Sequence, residues 1–169
     1  MLYEKNLKKF GMLKYVDTAI TFAEFPNEVS LCLNISGCPC FCDDCHSPYL
    51  SKDIGEVLSL ERLRELIESN KGITLVGFMG GDSDPEEVNK LAKWVRENYP
   101  KLYIGWYSGR QALADEVIDL DNFDYIKLGP YIKQFGPLNN PNTNQKFYKI
   151  DRKTHIMTWC TNIFWKEAE

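Results

Sequence analysis

"SGCPCFCDDCHSPYL", residues 36–50, sets four of the six cysteines of a 169-residue chain within eight positions. The stretch before it, "EVSLCLNIS" (28–36), alternates apolar positions as a strand does. The cysteines therefore sit on a loop at the carboxyl end of a strand. Working outward, "LKYVDTAITFAE" (13–24) reads as a second strand of the same type. A helix is expected over 59–69, with Ser59 as N-cap and Leu60, Leu63, Leu66 and Ile67 on one face. "ITLVGFM" (73–79) is a buried-type strand ending in Gly80–Gly81–Asp82. "DPEEVNKLAKWVREN" (84–98) opens a helix with a capping Asp and a Pro at its first position. "KLYIGWY" (101–107), a short helix over 110–118 and "FDYIKL" (123–128) follow. A Pro/Asn-rich loop (129–145) then leads into a hairpin turning near Asp151–Arg152.

Strand and helix alternate through the middle of the chain. That order implies parallel βαβ units with right-handed crossovers, and such sheets bind ligands at the carboxyl ends of their strands. Three unusual segments fall there: the cysteine loop, Gly80–Gly81–Asp82 and Tyr107–Ser108–Gly109. They are expected to converge on one site.

Composition narrows the class. Apolar residues make up 44% and charged residues 26%, as in a soluble globular domain. The length suits one domain with a real core. No apolar run of about 18 residues exists to span a membrane. The N-terminus lacks the pattern of a signal peptide, so a cytoplasmic location is expected. A formal charge of −4 leaves no basic footprint for nucleic acid.

In a reducing compartment, clustered cysteines more often bind metal or carry redox chemistry than form disulfides. Cys38, Cys42 and Cys45 have the spacing C-x3-C-x2-C, which can wrap three thiolates around one corner of an iron–sulfur cube. Clusters held by protein alone usually take four cysteines. Three ligands leave one iron open, as catalytic metal sites do.

The cysteine motif followed by Gly80–Gly81–Asp82 resembles the radical S-adenosylmethionine (SAM) superfamily. "GCPCFCDDCHSPYL", "FMGGD", "GWYSGR", "YIKLGPYI" and "NPNTNQKFY" stand in the order found in the anaerobic ribonucleoside-triphosphate reductase activating proteins. The resemblance covers about residues 13–150. It implies a single α/β domain over 1–169, a partial βα barrel open on one side. Residues 1–12 would be an N-terminal extension, and 146–169 a C-terminal hairpin and tail. It implies that Cys38, Cys42 and Cys45 hold a [4Fe–4S] cluster. The backbone at Asp44, Cys45 and His46 would meet the adenine of SAM, and Gly80 and Gly81 its amino group, with Asp82 the acidic cofactor-site residue that follows them. Ser108 and Gly109 would lie near the methionine moiety, with Lys127 a polar strand residue beside the site. The activity implied is reductive cleavage of SAM and formation of a glycyl radical in the anaerobic (class III) ribonucleotide reductase. Flavodoxin or ferredoxin would be the one-electron donor. Residues Gly129–Gln145 and Tyr49–Gly55 are expected to rim the open side and meet the reductase.

Two features depart from the family pattern. Asp44 stands where many radical SAM proteins carry an aromatic residue. Cys40 is an extra thiol, read as a spectator because a fourth ligand would close the open iron. Other readings compete. A zinc knuckle could use all four clustered cysteines, although zinc sites pair C-x2–4-C with a distant second pair. An electron-transfer iron–sulfur protein could use them too, and an activase for another glycyl-radical enzyme, such as pyruvate formate-lyase, is close in kind. Cys32 and Cys160 read as small buried hydrophobes, His155 as structural, and Trp94 and Trp106 as packing residues.

Overall fold

The computed structural model describes residues 13–165. One eight-stranded sheet runs through them in the order β3-β1-β2-β4-β5-β6-β7-β8. The strands are β1 (Lys14–Thr21), β2 (Ser30–Ile35), β3 (Glu56–Val57), β4 (Leu75–Met79), β5 (Tyr103–Tyr107), β6 (Tyr125–Leu128), β7 (Lys146–Asp151) and β8 (Ile156–Trp159). Helices α1 (Leu60–Ser69) and α2 (Pro85–Asn98) complete the regular structure. Strands β2, β4, β5 and β6 are parallel, and the flanking strands pair antiparallel. Among the described residues no helix is long and apolar enough to cross a membrane.

Local chemistry sets both helix starts. The Ser59 hydroxyl accepts from the Arg62 amide at 3.0 Å, and the Asp84 carboxylate from the Glu87 amide at 3.1 Å. Leu63 and Ile67 of α1, and Val88, Leu91, Ala92 and Val95 of α2, bury into one cluster with Leu33, Ile35, Phe78 and Trp106 of the sheet. Both helices thus cover the same face.

The opposite face is filled differently. Phe25, on the β1–β2 connection, lies over Gly77 and Gly105, where a Cβ would stand 2.7 and 2.1 Å from its ring. Phe147, Tyr107 and Tyr125 surround that ring. The Tyr107 hydroxyl donates to the Glu24 carbonyl, fixing the connection. This plug ends the first strand at Thr21, short of the expected residue 24. It leaves the carboxyl ends of β2, β4, β5 and β6 free.

The helix expected over 110–118 is absent. Residues 111–119 form bends and a single turn, in which Val117 and Ile118 both donate to the Ala114 carbonyl. Arg110 is held by its own bonds to Ser108 and Asp82, and Asp119 by Asn89, so the segment serves as a tether. The terminal hairpin forms as expected, although its turn spans residues 152–155. Strand β3 had no signal in the sequence, being only two residues long. Residues 1–12 and 166–169, the expected extension and the end of the tail, lie outside the described residues.

Candidate functional site

The cysteine loop leaves β2 at Ile35 and is clamped at its base. The Gly37 amide donates to the Lys52 carbonyl at 3.0 Å, and the Cys38 amide to the Leu50 carbonyl at 2.8 Å. The chain inside this clamp turns tightly, with φ of +44° at Phe41 and +55° at Asp44. Asp44 pairs with Lys133 at 3.4 Å, and the His46 and Tyr131 rings lie 4.8 Å apart. The loop is thereby tied to the segment after β6.

The thiols of Cys38, Cys40, Cys42 and Cys45 line one cavity of about 410 Å³. Gly80, Asp82, Gly109 and Lys127 line it from the strand ends, so the three segments do converge. Asp44, His46, Gly81 and Ser108 do not line it.

The strand-end residues divide into two kinds. Gly80, at φ +104°, brings bare backbone to the cavity, and its carbonyl accepts from the Trp106 indole at 2.8 Å. Gly81 faces the other way: a Cβ there would stand 2.5 Å from Val88 Cγ2. Its bareness serves the seating of α2, not the approach of a ligand. Asp82 is buried, and its carboxylate is already engaged. One oxygen accepts from the Ser108 hydroxyl at 2.5 Å, the other from the Gly109 amide at 2.8 Å, with the Arg110 guanidinium at 3.8 Å. Asp82 and Ser108 thus bind each other and lock the ends of β4 and β5 together.

Cys40 belongs to this lock. Its sulfur lies 3.8 Å from Asp82 Oδ2 and against Gly109, where a Cβ would stand 2.7 Å away. Burial first, then Asp82, Cys38 and Cys42, push its thiol up to about 12.

A profile of the family described as "4Fe-4S single cluster domain" matches residues 28–127, well over half of the chain and all of the cysteine loop. The chain belongs to the 4Fe-4S single cluster domain family. No curated protein and no solved structure compared with it gave a match. The donor set fits the family's cluster. Soft thiolate ligands suit iron–sulfur centres. The 4Fe-4S domain sets four cysteines around one cavity, on a loop clamped at its base.

Lys127 lines the cavity from β6, buried to 9% exposure. Its ammonium donates to the carbonyls of Ser108 and Gly129 at 3.1 and 3.0 Å, and lies 5.4 Å from the centre of the Tyr107 ring. Burial lowers its pKa from the usual lysine value, against the pull of Asp82 and the loop thiols.

One residue escaped the sequence reading. Gln145 precedes β7 on the face of Phe147, which pairs with Lys127 across β6–β7. It is buried to 7% and lines the cavity, yet among the described residues its carboxamide has no hydrogen-bond partner. Only the pairing register could have revealed it. The remaining candidates do not line the cavity. Cys32 is buried in β2, its thiol pushed up to about 12 by burial and Glu24. Burial also raises Cys160. His155 is exposed and bonds Asp121 at 2.7 Å, a surface tie. Trp106 is buried core, and Trp94 packs on Tyr99.

Proposed function

We propose that this iron–sulfur protein is a radical SAM activase. In this reading Cys38, Cys42 and Cys45 hold the [4Fe–4S] cluster on a partial βα barrel. SAM binds beside it, and the product is a glycyl radical in an anaerobic ribonucleoside-triphosphate reductase of the cytoplasm. The observation that carries the reading is the single cavity shared by the loop thiols and the carboxyl ends of β4, β5 and β6. A cluster that only relays electrons needs no adjoining ligand space.

When bound, the cluster supplies one electron to the sulfonium of SAM, taken in turn from a flavodoxin or ferredoxin. The chain's own residues do the rest. Gly80 offers backbone without a side chain, so a ligand can approach closely. Gly109 makes room for Cys40 in the same way. Cys40 rests on Asp82 and against Gly109, and in this reading it is the spectator thiol. Gln145 and Lys127 supply polar groups that orient a ligand from the strand ends. The Phe25–Phe147–Tyr107 plug closes the opposite end of the sheet face to water. Exposed Phe41, Tyr49 and Phe135 stand on the loop and on the rims Tyr49–Gly55 and Gly129–Gln145, where a protein substrate would dock.

The test is anaerobic incubation of the iron- and sulfide-loaded chain with SAM, dithionite and the reductase. The expected result is a glycyl radical in the reductase by electron paramagnetic resonance (EPR), with 5′-deoxyadenosine and methionine formed. A fully loaded cluster without SAM cleavage refutes the reading and favours electron transfer through four cysteines. Zinc in place of iron and sulfide favours an interaction module.

A further inference from the structure

Lys127 is the only lysine or arginine buried outright among the described residues. Its ammonium is met by two carbonyls and a ring face, all neutral, and among the described residues no carboxylate comes within ion-pair distance. Asp82, which acts on it from further away, is already committed to Ser108, Gly109 and Arg110. A buried charge without a counter-charge is costly, commonly several kcal/mol. Chains keep such a group where something else completes it. The wall that Lys127 shares is the one bearing Cys38, Cys40, Cys42 and Cys45.

We propose that Lys127 is the built-in counter-charge of the iron–sulfur centre and holds its reduction potential up. The argument rests on the cysteine loop's holding the cluster and is independent of SAM. One-electron reduction adds a negative charge to the centre, with no bond made or broken. A fixed ammonium in the same low-dielectric wall stabilises the reduced state more than the oxidised one. The two carbonyl bonds hold the charge in place, so it does not swing away to water as a surface lysine does. At an effective dielectric of about 20, a unit charge about 12 Å from the centre biases the equilibrium by about tenfold. For a one-electron couple that is about 59 mV.

The experiment is an EPR-monitored redox titration with dithionite, on anaerobically loaded full chain without SAM. Lys127→Met and Lys127→Gln remove the charge, and Gln keeps a donor for the carbonyls. Lys127→Arg keeps the charge. The expected result is a midpoint about 59 mV more negative in both neutral variants, at wild-type iron and sulfide content. Lys127→Arg should titrate close to the parent. Loss of the cluster from both neutral variants but not from Lys127→Arg also supports the counter-charge. Wild-type midpoints in the neutral variants overturn the proposal. So does loss of the cluster from all three, which would make the lysine a packing requirement. Because SAM is left out, failure here is separate from failure of the activase reading.

Discussion

Replacing Asp82 with Ala tests whether the strand ends are locked as described. The change removes the acceptor for the Ser108 hydroxyl and the Gly109 amide, bonded at 2.5 and 2.8 Å. Asp82 is 1% exposed, so water does not easily replace the lost partner. Hydrogen bonds to a charged group contribute about 1.5–3 kcal/mol each. Two such bonds give a loss of about 3–6 kcal/mol, a large share of the roughly 5–15 kcal/mol that holds a domain folded. For a chain of this size each kcal/mol moves the melting temperature by about 2–4 °C. The expected fall is therefore about 10 °C, read by circular dichroism on cluster-loaded protein kept anaerobic. Asp82→Asn keeps one acceptor and lets Ser108 accept in return, so about half that fall is expected. A melting temperature for Asp82→Ala within about 2 °C of the parent would refute the lock.

Three further outcomes are expected. Gly105→Ala drives a Cβ to 2.1 Å from the Phe25 ring. Overpacking of this kind costs about 1–3 kcal/mol, to be read in the same melts, with cluster content unchanged. Alanine at Cys38, Cys42 or Cys45 should abolish a stable cluster, whereas Cys40→Ala should retain it, as iron and sulfide analysis will report; loss in Cys40→Ala removes the spectator assignment. Gln145→Leu should keep the cluster and weaken SAM binding about tenfold by equilibrium dialysis, the value of one buried hydrogen bond. Unchanged affinity there would mean that the carboxamide meets something other than SAM.

The sequence was most readable where local chemistry decides. Ser59 and Asp84 announce their helices because a cap acts within one turn. The alternation of β2 and the length of the apolar run in β4 place the cysteine loop and Gly80 at strand ends, and both line the cavity. What stayed hidden depends on residues far apart in the chain. Phe25 lies in no periodic pattern, and its role appears only once Gly77 and Gly105 are neighbours. Gly80 and Gly81 look alike as letters, but only Gly80 lines the cavity, while a Cβ on Gly81 would strike Val88 of α2. Asp82 reads as an acid at a ligand site, yet pairing brings β5 close enough to consume its carboxylate. Leu113, Ala114 and Val117 have helical spacing and do pack on the core, but the bonds of Arg110 and Asp119 pin both ends of that segment.

The clamp at the base of the cysteine loop carries a consequence for metal loading. Closing a flexible loop around a cluster costs chain entropy that grows slowly with loop length. Here the backbone bonds of Gly37 and Cys38 close it at its base, and they are bonds of the fold and not of the metal. The dependence is therefore one-sided. Stripping the metal should leave the sheet standing and the loop ready to refill, whereas melting the sheet opens the loop and releases the metal. Cluster retention in this chain is a property inherited from fold stability, and repeated loss and rebuilding of the cluster need not pass through an unfolded state.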